Sequence, residues 1–220
     1  MVSFPLSVVD NFFDNPDDIR DYALSLKYHS DEKGSYPSLR TDKIHKFNEP
    51  LFDMVCRKIL SVYYEFHELT HISWNTNMSF QKVDQSFRSG WIHKDTPAIL
   101  SCIIYLNPKP SKNSGTSIYK LKNGVLVQDE SLDKIKKDAY LGKIKIKEAE
   151  DARVKNNSQY DEVIKVSNSY NRLVMFDSSE HHGALDFFGN TEEDSRLTLT
   201  VFFYEINVCN TPISRLKRVS

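Results

Sequence analysis

The residues with the clearest chemical potential lie in segment 91–107, WIHKDTPAILSCIIYLN, which contains the H-x-D triplet His93-Lys94-Asp95. Bulky neighbours predict an extended chain, in which side chains alternate faces. His93 and Asp95 are therefore expected to point the same way, so that both can reach one cation. Together with a second histidine they would form the facial triad that holds non-haem Fe(II). The triplet alone does not identify a metal site, because the same spacing occurs in His29-Ser30-Asp31, which lies in a polar segment. A third ligand elsewhere in the chain is therefore needed.

A candidate for the further ligand follows a predicted buried strand later in the chain. Segment 171–183, NRLVMFDSSEHHG, contains an apolar strand, a polar turn and then His181 and His182. Neighbouring residues of a strand face opposite sides, so at most one of the two histidines shares a face with the site. The residues alone leave this choice open.

An arginine begins the last predicted strand, RLTLTVFFYEI. Alternation along this strand places Arg196, Thr198 and Thr200 on one face. An arginine that leads an otherwise apolar strand needs an anionic partner if it points inward, because an unpaired buried charge is costly. The pattern therefore indicates an anion site, with a structural salt bridge as the alternative.

The amino-acid composition limits the class of protein to which this chain can belong. The 220 residues are 40% hydrophobic, which suits one domain with a real core, and the formal net charge is −1. No overall basic field favours nucleic acid or an anionic membrane. Three cysteines, Cys56, Cys102 and Cys209, stand far apart, which favours a reducing compartment over a disulfide framework. Without a signal-like N-terminus or an apolar run of ~18 residues, we expect a cytoplasmic protein without membrane spans.

The elements that must position the candidate residues are two helices followed by many short strands. A strand is predicted over 4–13, a helix from Pro16, a loop over 29–48 and a longer helix over 51–66. The segment 131–158 is rich in Lys, Glu and Asp and predicts a mostly helical excursion. Further strands are predicted at 74–83, 99–106, 116–121, 125–128, 162–166, 172–176 and 197–206, with a hairpin turn at Lys122-Asn123-Gly124.

This order predicts an α+β protein: a double-stranded β-helix, or jelly-roll barrel, with the N-terminal helices packed outside and a charged insertion. We expect a single domain over 1–206, a barrel core over about 73–206, the insertion at about 131–158 and a C-terminal tail at 207–220 without an evident core.

A competing motif lies at the end of the second predicted helix. His67-Glu68-Leu69-Thr70-His71 matches H-E-x-x-H, the zincin pattern in which two histidines bind zinc and the glutamate is the base. The context is wrong for a peptidase, because Ile72-Ser73-Trp74 replaces the glycine-containing continuation. The next glutamate, Glu130, is also too distant for the usual third ligand. A polar helix end is the alternative that we favour.

Four blocks in order carry a family resemblance: His93-x-Asp95, then SCIIYLN at 101–107, then LVMF at 173–176 with His182, then Arg196 with LTLTVF. Over about 79–206 the chain resembles the Fe(II)/2-oxoglutarate dioxygenases, nearest the prolyl hydroxylase branch. The resemblance departs from the usual pattern at 82–85, where Lys-Val-Asp-Gln stands in place of a Tyr and a Gly-rich turn. A contact to the first carboxylate is therefore unassigned.

The resemblance implies the site residues. Iron would be bound by His93, Asp95 and His182, because the family's ligand usually follows the strand-ending aromatic by six residues, counted here from Phe176. It also implies that Arg196 binds the distal carboxylate of 2-oxoglutarate. The hydroxyl groups that assist it would come from Tyr105 and from either Thr198 or Thr200.

The implied activity is an oxygenase that uses Fe(II), 2-oxoglutarate and O2 and releases succinate and CO2. Because Asp95 leaves no iron position for halide, we expect hydroxylation of a peptidyl residue, a free amino acid or another small molecule. Selectivity is expected in elements at the mouth of the barrel: 84–90, the insertion and 186–194. The rivals are a cupin-like metal-binding module without turnover, the zinc peptidase, and a nucleobase-repair oxygenase. The last is disfavoured by Phe202, which stands where a second arginine would be sought.

Overall fold

The computed structural model describes residues 3–123, 130–191, 193–214 and 216. Within them the chain forms ten β-strands and five α-helices. The strands are β1 (Ser7–Val9), β2 (His29–Ser30), β3 (Leu39–Arg40), β4 (Ser73–Val83), β5 (Leu100–Tyr105), β6 (Gly115–Leu121), β7 (Tyr160–Ser167), β8 (Leu173–Asp177), β9 (His181–Ala184) and β10 (Arg196–Asn207). The helices are α1 (Pro16–Ser25), α2 (Glu49–Leu60), α3 (Phe66–Leu69), α4 (Glu130–Tyr140) and α5 (Ile146–Asn157).

The strands form two antiparallel sheets. One has the order β1-β8-β5-β10-β4-β3-β2, and the other has the order β7-β6-β9. Strand β10 lies at the centre of the large sheet, where Arg196 is opposite Val83 of β4 and Thr198 is opposite Tyr105 of β5. A mixed α/β chain with a large antiparallel sheet is consistent with the predicted jelly roll. Closure of the two sheets into a barrel stays a prediction.

The main core lies between the N-terminal helices and the large sheet. Val55 and Ile59 of α2 belong to one buried cluster with Leu199, Val201 and Phe203 of β10. Burying an aliphatic or aromatic side chain of this size contributes about 1.5–3 kcal/mol relative to leaving it exposed. This packing holds β10, and with it the arginine at its first position, against a rigid base.

Two short strands occupy the segment 29–48, which the sequence predicted as loop. Strand β3 pairs with β4, so that Leu39 lies opposite Lys82 and Arg40 opposite Gln81. β2 in turn pairs with β3 and forms the edge of the sheet. Strands of two residues show no alternation to read, which is why the loop prediction was wrong here.

The predicted strand over 4–13 is reduced to β1, because Asn11 takes a left-handed backbone conformation with φ 55°. The side chain of Asn171 then bonds the backbone at Phe13, whose amide donates to Asn171 Oδ1 at 2.8 Å. The left-handed conformation at Asn11 and the hydrogen bond to Phe13 together direct the chain out of the sheet after Val9.

The predicted helix over 51–66 ends at Leu60 and is followed by the separate short helix α3. The carbonyl of Tyr63 accepts the backbone N–H of Ile213 at 2.7 Å, a position that a continuing helix would use for its own hydrogen bond. The expectation of a tail without core contacts was also wrong, because Ile213 packs against the main core.

The charged segment 131–158 contains α4 and α5, in agreement with its predicted helical character. Leu132 and Ala152 are buried there against Trp91. The side chain of Asn157 accepts the N–H of Ile92 at 2.9 Å and donates to the carbonyl of Gly90 at 3.1 Å. The segment therefore supports the chain immediately before the H-x-D triplet.

The predicted hairpin partner at 125–128 lies outside the described residues, and β6 pairs with β7 and β9. Among the residues that the structure describes, no helix is long and apolar enough to cross a membrane.

Candidate functional site

The three candidate metal ligands come together at one end of the sheets. His93 Nε2 lies 3.2 Å from Asp95 Oδ1, and His182 Nε2 lies 3.1 Å from Asp95 Oδ2. One donor atom from each residue lies within 4.8 Å of the others, a spacing that a single ion can bridge. The predicted strand through the triplet is not present, however. His93 forms one isolated bridge with His182, in which each backbone N–H donates to the other residue's carbonyl at 2.9 Å.

Hydrogen bonds to the backbone set the orientation of both imidazoles. His93 Nδ1 donates to the carbonyl of Trp91 at 2.8 Å, and His182 Nδ1 donates to that of Glu180 at 3.1 Å. A carbonyl can only accept, so each Nδ1 carries its proton and each Nε2 is left free to bind a metal. Both Nε2 atoms face the carboxylate of Asp95.

Two serines hold the carboxylate of Asp95 in place. Ser101 Oγ donates to Asp95 Oδ2 at 2.8 Å and lies 2.7 Å from Ser178 Oγ, and the N–H of Asp95 donates to the carbonyl of Ser178 at 3.1 Å. Burial raises the pKa of Asp95, but His182 and His93 in their protonated forms outweigh it and hold that pKa well below its usual range. The carboxylate is thus ionised across the neutral range.

Burial and the neighbouring His182 lower the pKa of His93, with Asp95 opposing them. The neutral imidazole is therefore favoured, with its Nε2 lone pair turned toward a carboxylate oxygen. Lone pairs facing each other at such distances are compensated by a cation between them. The donor set of two imidazole nitrogens and one carboxylate matches the facial arrangement used for non-haem Fe(II).

A cavity of about 420 Å³ opens beside these donors. His93, Asp95 and His182 form part of its wall, with side-chain exposures of 38%, 17% and 6%. The buried part of the wall adds Gln81, Val83, Thr116, Phe187, Arg196 and Thr200. The half-buried part, toward solvent, includes Tyr36, Arg40, Lys43, Lys136, Tyr140, Phe202 and Tyr204.

Arg196 is buried in this wall without a charged partner among the described residues. Its guanidinium carbon lies 5.5 Å from the ring centre of Tyr105 and 5.6 Å from that of Phe187, and its Nε has no hydrogen-bond partner. Burial lowers the pKa of Arg196, and Tyr105 opposes this shift. A buried guanidinium with an unsatisfied donor is a site for an anion.

The hydroxyl residues predicted to assist Arg196 are arranged in different ways. Tyr105 is fully buried and its hydroxyl donates to Thr116 Oγ1 at 2.8 Å, so its direct contact with a ligand stays a prediction. Thr198 Oγ1 is buried without a partner, whereas Thr200 Oγ1 donates to the carbonyl of Ser79 at 3.1 Å. Of the two threonines, Thr198 has the free hydroxyl and Thr200 lines the cavity.

The two adjacent histidines separate as a strand requires. His182 is buried, and its ring packs 4.5 Å from that of Phe176. The ring of His181 packs 4.9 Å from that of Tyr160 on the other side of β9. Of this pair, His182 is the residue that joins Asp95.

The H-E-x-x-H motif does not assemble a metal site. His67 is 73% exposed and pairs with Glu65, while Glu68 caps α3 by accepting the N–H of Glu65 at 3.0 Å. Glu68 also accepts a hydrogen bond from Asn210. Among the described residues, the only group with metal-ligand spacing is His93, Asp95 and His182.

Sequence reasoning missed the residues that approach the cavity from β3 and α4. Arg40, Lys43 and Tyr36 come from the segment read as loop, and Lys136 and Tyr140 from the segment read as a solvated excursion. Ser101 and Ser178 were also missed, because their contact with Asp95 depends on the pairing of β5 with β8.

The fold is that of the non-haem Fe(II)/2-oxoglutarate oxygenases, as the sequence predicted. The crystal structure of EvdO2 from Micromonospora carbonacea var. aurantiaca aligns with a TM-score of 0.53 and 12% identity over 96% of this chain and 90% of that one. HygX from Streptomyces hygroscopicus, solved with nickel and 2-oxoglutarate bound, aligns with a TM-score of 0.52 and 10% identity over 90% and 82% of the two chains. The 2-oxoglutarate-dependent epimerase SnoN, from nogalamycin biosynthesis, aligns with a TM-score of 0.50 and 9% identity over 90% and 76%.

Prolyl hydroxylases also match, with TM-scores below 0.5. By sequence, the chain belongs to the family of unknown function DUF6445, whose model matches residues 3–203. A sequence comparison with curated proteins found no match.

Proposed function

We propose that the protein is an Fe(II)- and 2-oxoglutarate-dependent oxygenase that hydroxylates a peptidyl residue, a free amino acid or another small molecule. The observation that carries the proposal is that Arg196, a buried guanidinium without an anionic partner, lines the same cavity as a two-histidine, one-carboxylate donor set. A cupin-like module that only holds a metal has no use for this arginine. The 2-oxoglutarate bound to HygX, which shares the fold, adds support.

In this proposal His93 and His182 bind Fe(II) through Nε2, and Asp95 binds it through a carboxylate oxygen. The backbone carbonyls on each Nδ1 fix the tautomer, and Ser101 fixes the carboxylate. Such supporting hydrogen bonds set ligand orientation and basicity, and removing them typically weakens metal binding 10–100-fold. Three protein ligands leave the remaining positions of the metal for co-substrate and O2.

Arg196 binds the distal carboxylate of 2-oxoglutarate, because its planar fork matches a carboxylate and it keeps its charge when buried. Thr198, whose buried hydroxyl has no partner, follows Arg196 on the same face of β10. Tyr105 positions the guanidinium through its ring and is itself held by Thr116. Thr200 shapes the wall of the cavity, since its hydroxyl is already bonded to the backbone.

When bound, iron with 2-oxoglutarate and O2 supplies an oxidant that removes hydrogen from an unactivated carbon, with succinate and CO2 as co-products. The protein contributes position: the buried wall holds the co-substrate, and the half-buried wall faces the remaining space, where substrate would lie. Asp95 occupies the metal position that halide would need, and hydroxylation is therefore the outcome we propose.

The proposal is tested by incubating the protein with Fe(II), 2-oxoglutarate and O2 and measuring succinate by mass spectrometry. We expect slow conversion without added substrate, which is abolished in His182→Ala and retained in His181→Ala. A protein that binds iron but forms no succinate under any of these conditions would instead support the metal-binding module.

A further inference from the structure

The cavity carries more positive charge than the proposed iron and co-substrate need. Among the described residues of its wall, Asp95 is the one carboxylate. The cations are Arg40, Lys43, Lys94, Lys136 and Arg196. Fe(II) and the 2-oxoglutarate dianion cancel each other, so the excess of positive charge persists when both are bound. Such a field favours an anionic third component.

Arg40 is the centre of this excess. From β3 its guanidinium carbon lies 4.0 Å from the ring centre of Tyr36 and 5.8 Å from that of Phe202. Its Nη2 donates to Gln81 Oε1 at 3.1 Å, and its Nε is buried without a partner. Burial lowers the pKa of Arg40, with Tyr36 and then Asp95 opposing it. The hydrogen bond to Gln81 and the ring of Tyr36 thus fix the direction of the guanidinium, which lines the same cavity as Asp95.

Two lysines line the same cavity as Arg40 from separate elements. Lys43 follows β3, and Lys136 comes from α4. Burial lowers the pKa of Lys136, while Asp133 and Asp95 raise it. Neither lysine forms an ion pair within 4.0 Å with a carboxylate of the described residues.

Aromatic rings complete this part of the wall: Tyr36, Tyr140, Phe202 and Tyr204. Burial raises the pKa of Tyr140 above its usual range, so its hydroxyl stays neutral. An anion held at Arg40 would therefore have ring faces beside it for an apolar portion. The volume of about 420 Å³ suits a small molecule.

We infer that the substrate is a small molecule with an oxyanion group, carboxylate or phosphate, which Arg40 binds together with Lys43 and Lys136. The inference rests on the proposed function and adds the chemical class of its substrate. In this arrangement the buried Arg196 binds the co-substrate, and the half-buried Arg40 selects the substrate.

The test uses two probe pairs that differ in charge: 3-phenylpropionate with 3-phenylpropanamide, and 2-phenylethyl phosphate with 2-phenylethanol. Each is titrated by calorimetry into protein loaded with Mn(II) and 2-oxoglutarate. We expect the anion of at least one pair to bind about tenfold or more tightly than its neutral partner. Which pair shows the larger preference distinguishes carboxylate from phosphate.

In Arg40→Met the preference for the anionic probe should disappear, and in Arg40→Lys it should fall in part. The control Lys112→Met, which removes an exposed lysine, should keep the full preference. Equal binding of anion and neutral partner in both wild-type pairs overturns the inference. A preference that survives Arg40→Met also overturns it. If Arg40→Met does not fold, the double variant Lys43→Met/Lys136→Met decides, and an undiminished preference there contradicts the inference.

Binding of 2-oxoglutarate to the same Mn(II)-loaded variants separates this inference from the proposed function. We expect 2-oxoglutarate binding to survive Arg40→Met and to be lost in Arg196→Met. If anion preference depends on Arg40 but 2-oxoglutarate never binds, the oxygenase proposal fails and the anion site stands. If 2-oxoglutarate competes with the anionic probes for the Mn(II)-loaded protein, the probes occupy the co-substrate site and the inference is wrong.

Discussion

Replacing Arg196 with methionine should remove most of the stabilisation by 2-oxoglutarate while leaving the fold intact. Methionine keeps an apolar stem between Tyr105 and Phe187, but it removes the guanidinium. A ligand at 100 times its Kd stabilises the folded state by about 2.7 kcal/mol. For a chain of this size that raises the melting temperature by roughly 5–11 °C.

The expected loss follows from the burial of Arg196. A charge-assisted hydrogen bond contributes about 1.5–3 kcal/mol, or roughly 10–150-fold in Kd, and a buried bidentate contact lies at the upper end. With a Kd raised about a hundredfold, the same concentration of 2-oxoglutarate would stabilise by only about 0.4 kcal/mol. Without ligand, Arg196→Met should be at least as stable as wild type, because the variant no longer buries an unpaired charge.

The assay is thermal unfolding of Mn(II)-loaded protein with and without 2-oxoglutarate. Arg57→Met is the matched control, because Arg57 forms an exposed ion pair with Asp53 on α2, outside the cavity. The control should retain the full 2-oxoglutarate shift. An equal shift in Arg196→Met would refute the assignment of this arginine to the co-substrate.

Alanine at each of the three proposed metal ligands should abolish iron binding, measured by metal analysis, whereas His181→Ala should keep it; the reverse result for the two histidines would move the ligand. Tyr105→Phe should raise the 2-oxoglutarate KM by less than Arg196→Met does, by about one neutral hydrogen bond or 0.5–1.5 kcal/mol. A larger rise would indicate that the Tyr105 hydroxyl contacts 2-oxoglutarate directly. The double variant His67→Ala/His71→Ala should keep the metal content of wild type. Stoichiometric zinc that is lost only in this double variant would support the zinc-peptidase interpretation. Replacing 131–155 with a short Gly-Ser linker, which keeps Asn157, should preserve iron binding and slow succinate formation but remove stimulation by substrate. A full response to substrate would exclude a role for this segment in selection.

The convergence of the three candidate metal ligands could be predicted because their signal is local. His93 and Asp95 lie two residues apart, and His182 follows an apolar strand at a fixed distance. The isolated bridge between the two histidines replaced the predicted strand without changing which side chains converge. The three side chains therefore converge although the local backbone differs from the predicted strand, and their role as metal ligands stays a prediction.

The rest of the cavity depends on pairing between distant segments. Arg40 reaches it because β3 pairs with β4, and Lys136 because α4 lies against the same opening. A two-residue strand and a charged helix carry no periodic signal of such contacts. For Tyr105, the sequence could predict its strand, but the hydrogen bond of its hydroxyl to Thr116 depends on how the two sheets pack.

The most direct test of the central claim is an anaerobic titration of the protein with Fe(II) and 2-oxoglutarate, followed in visible light. Chelation of the metal by 2-oxoglutarate gives a weak metal-to-ligand charge-transfer band. We predict that the band appears only when both components are present, saturates at one equivalent of iron and is absent in His182→Ala. Iron binding without the band at saturating 2-oxoglutarate would contradict the account.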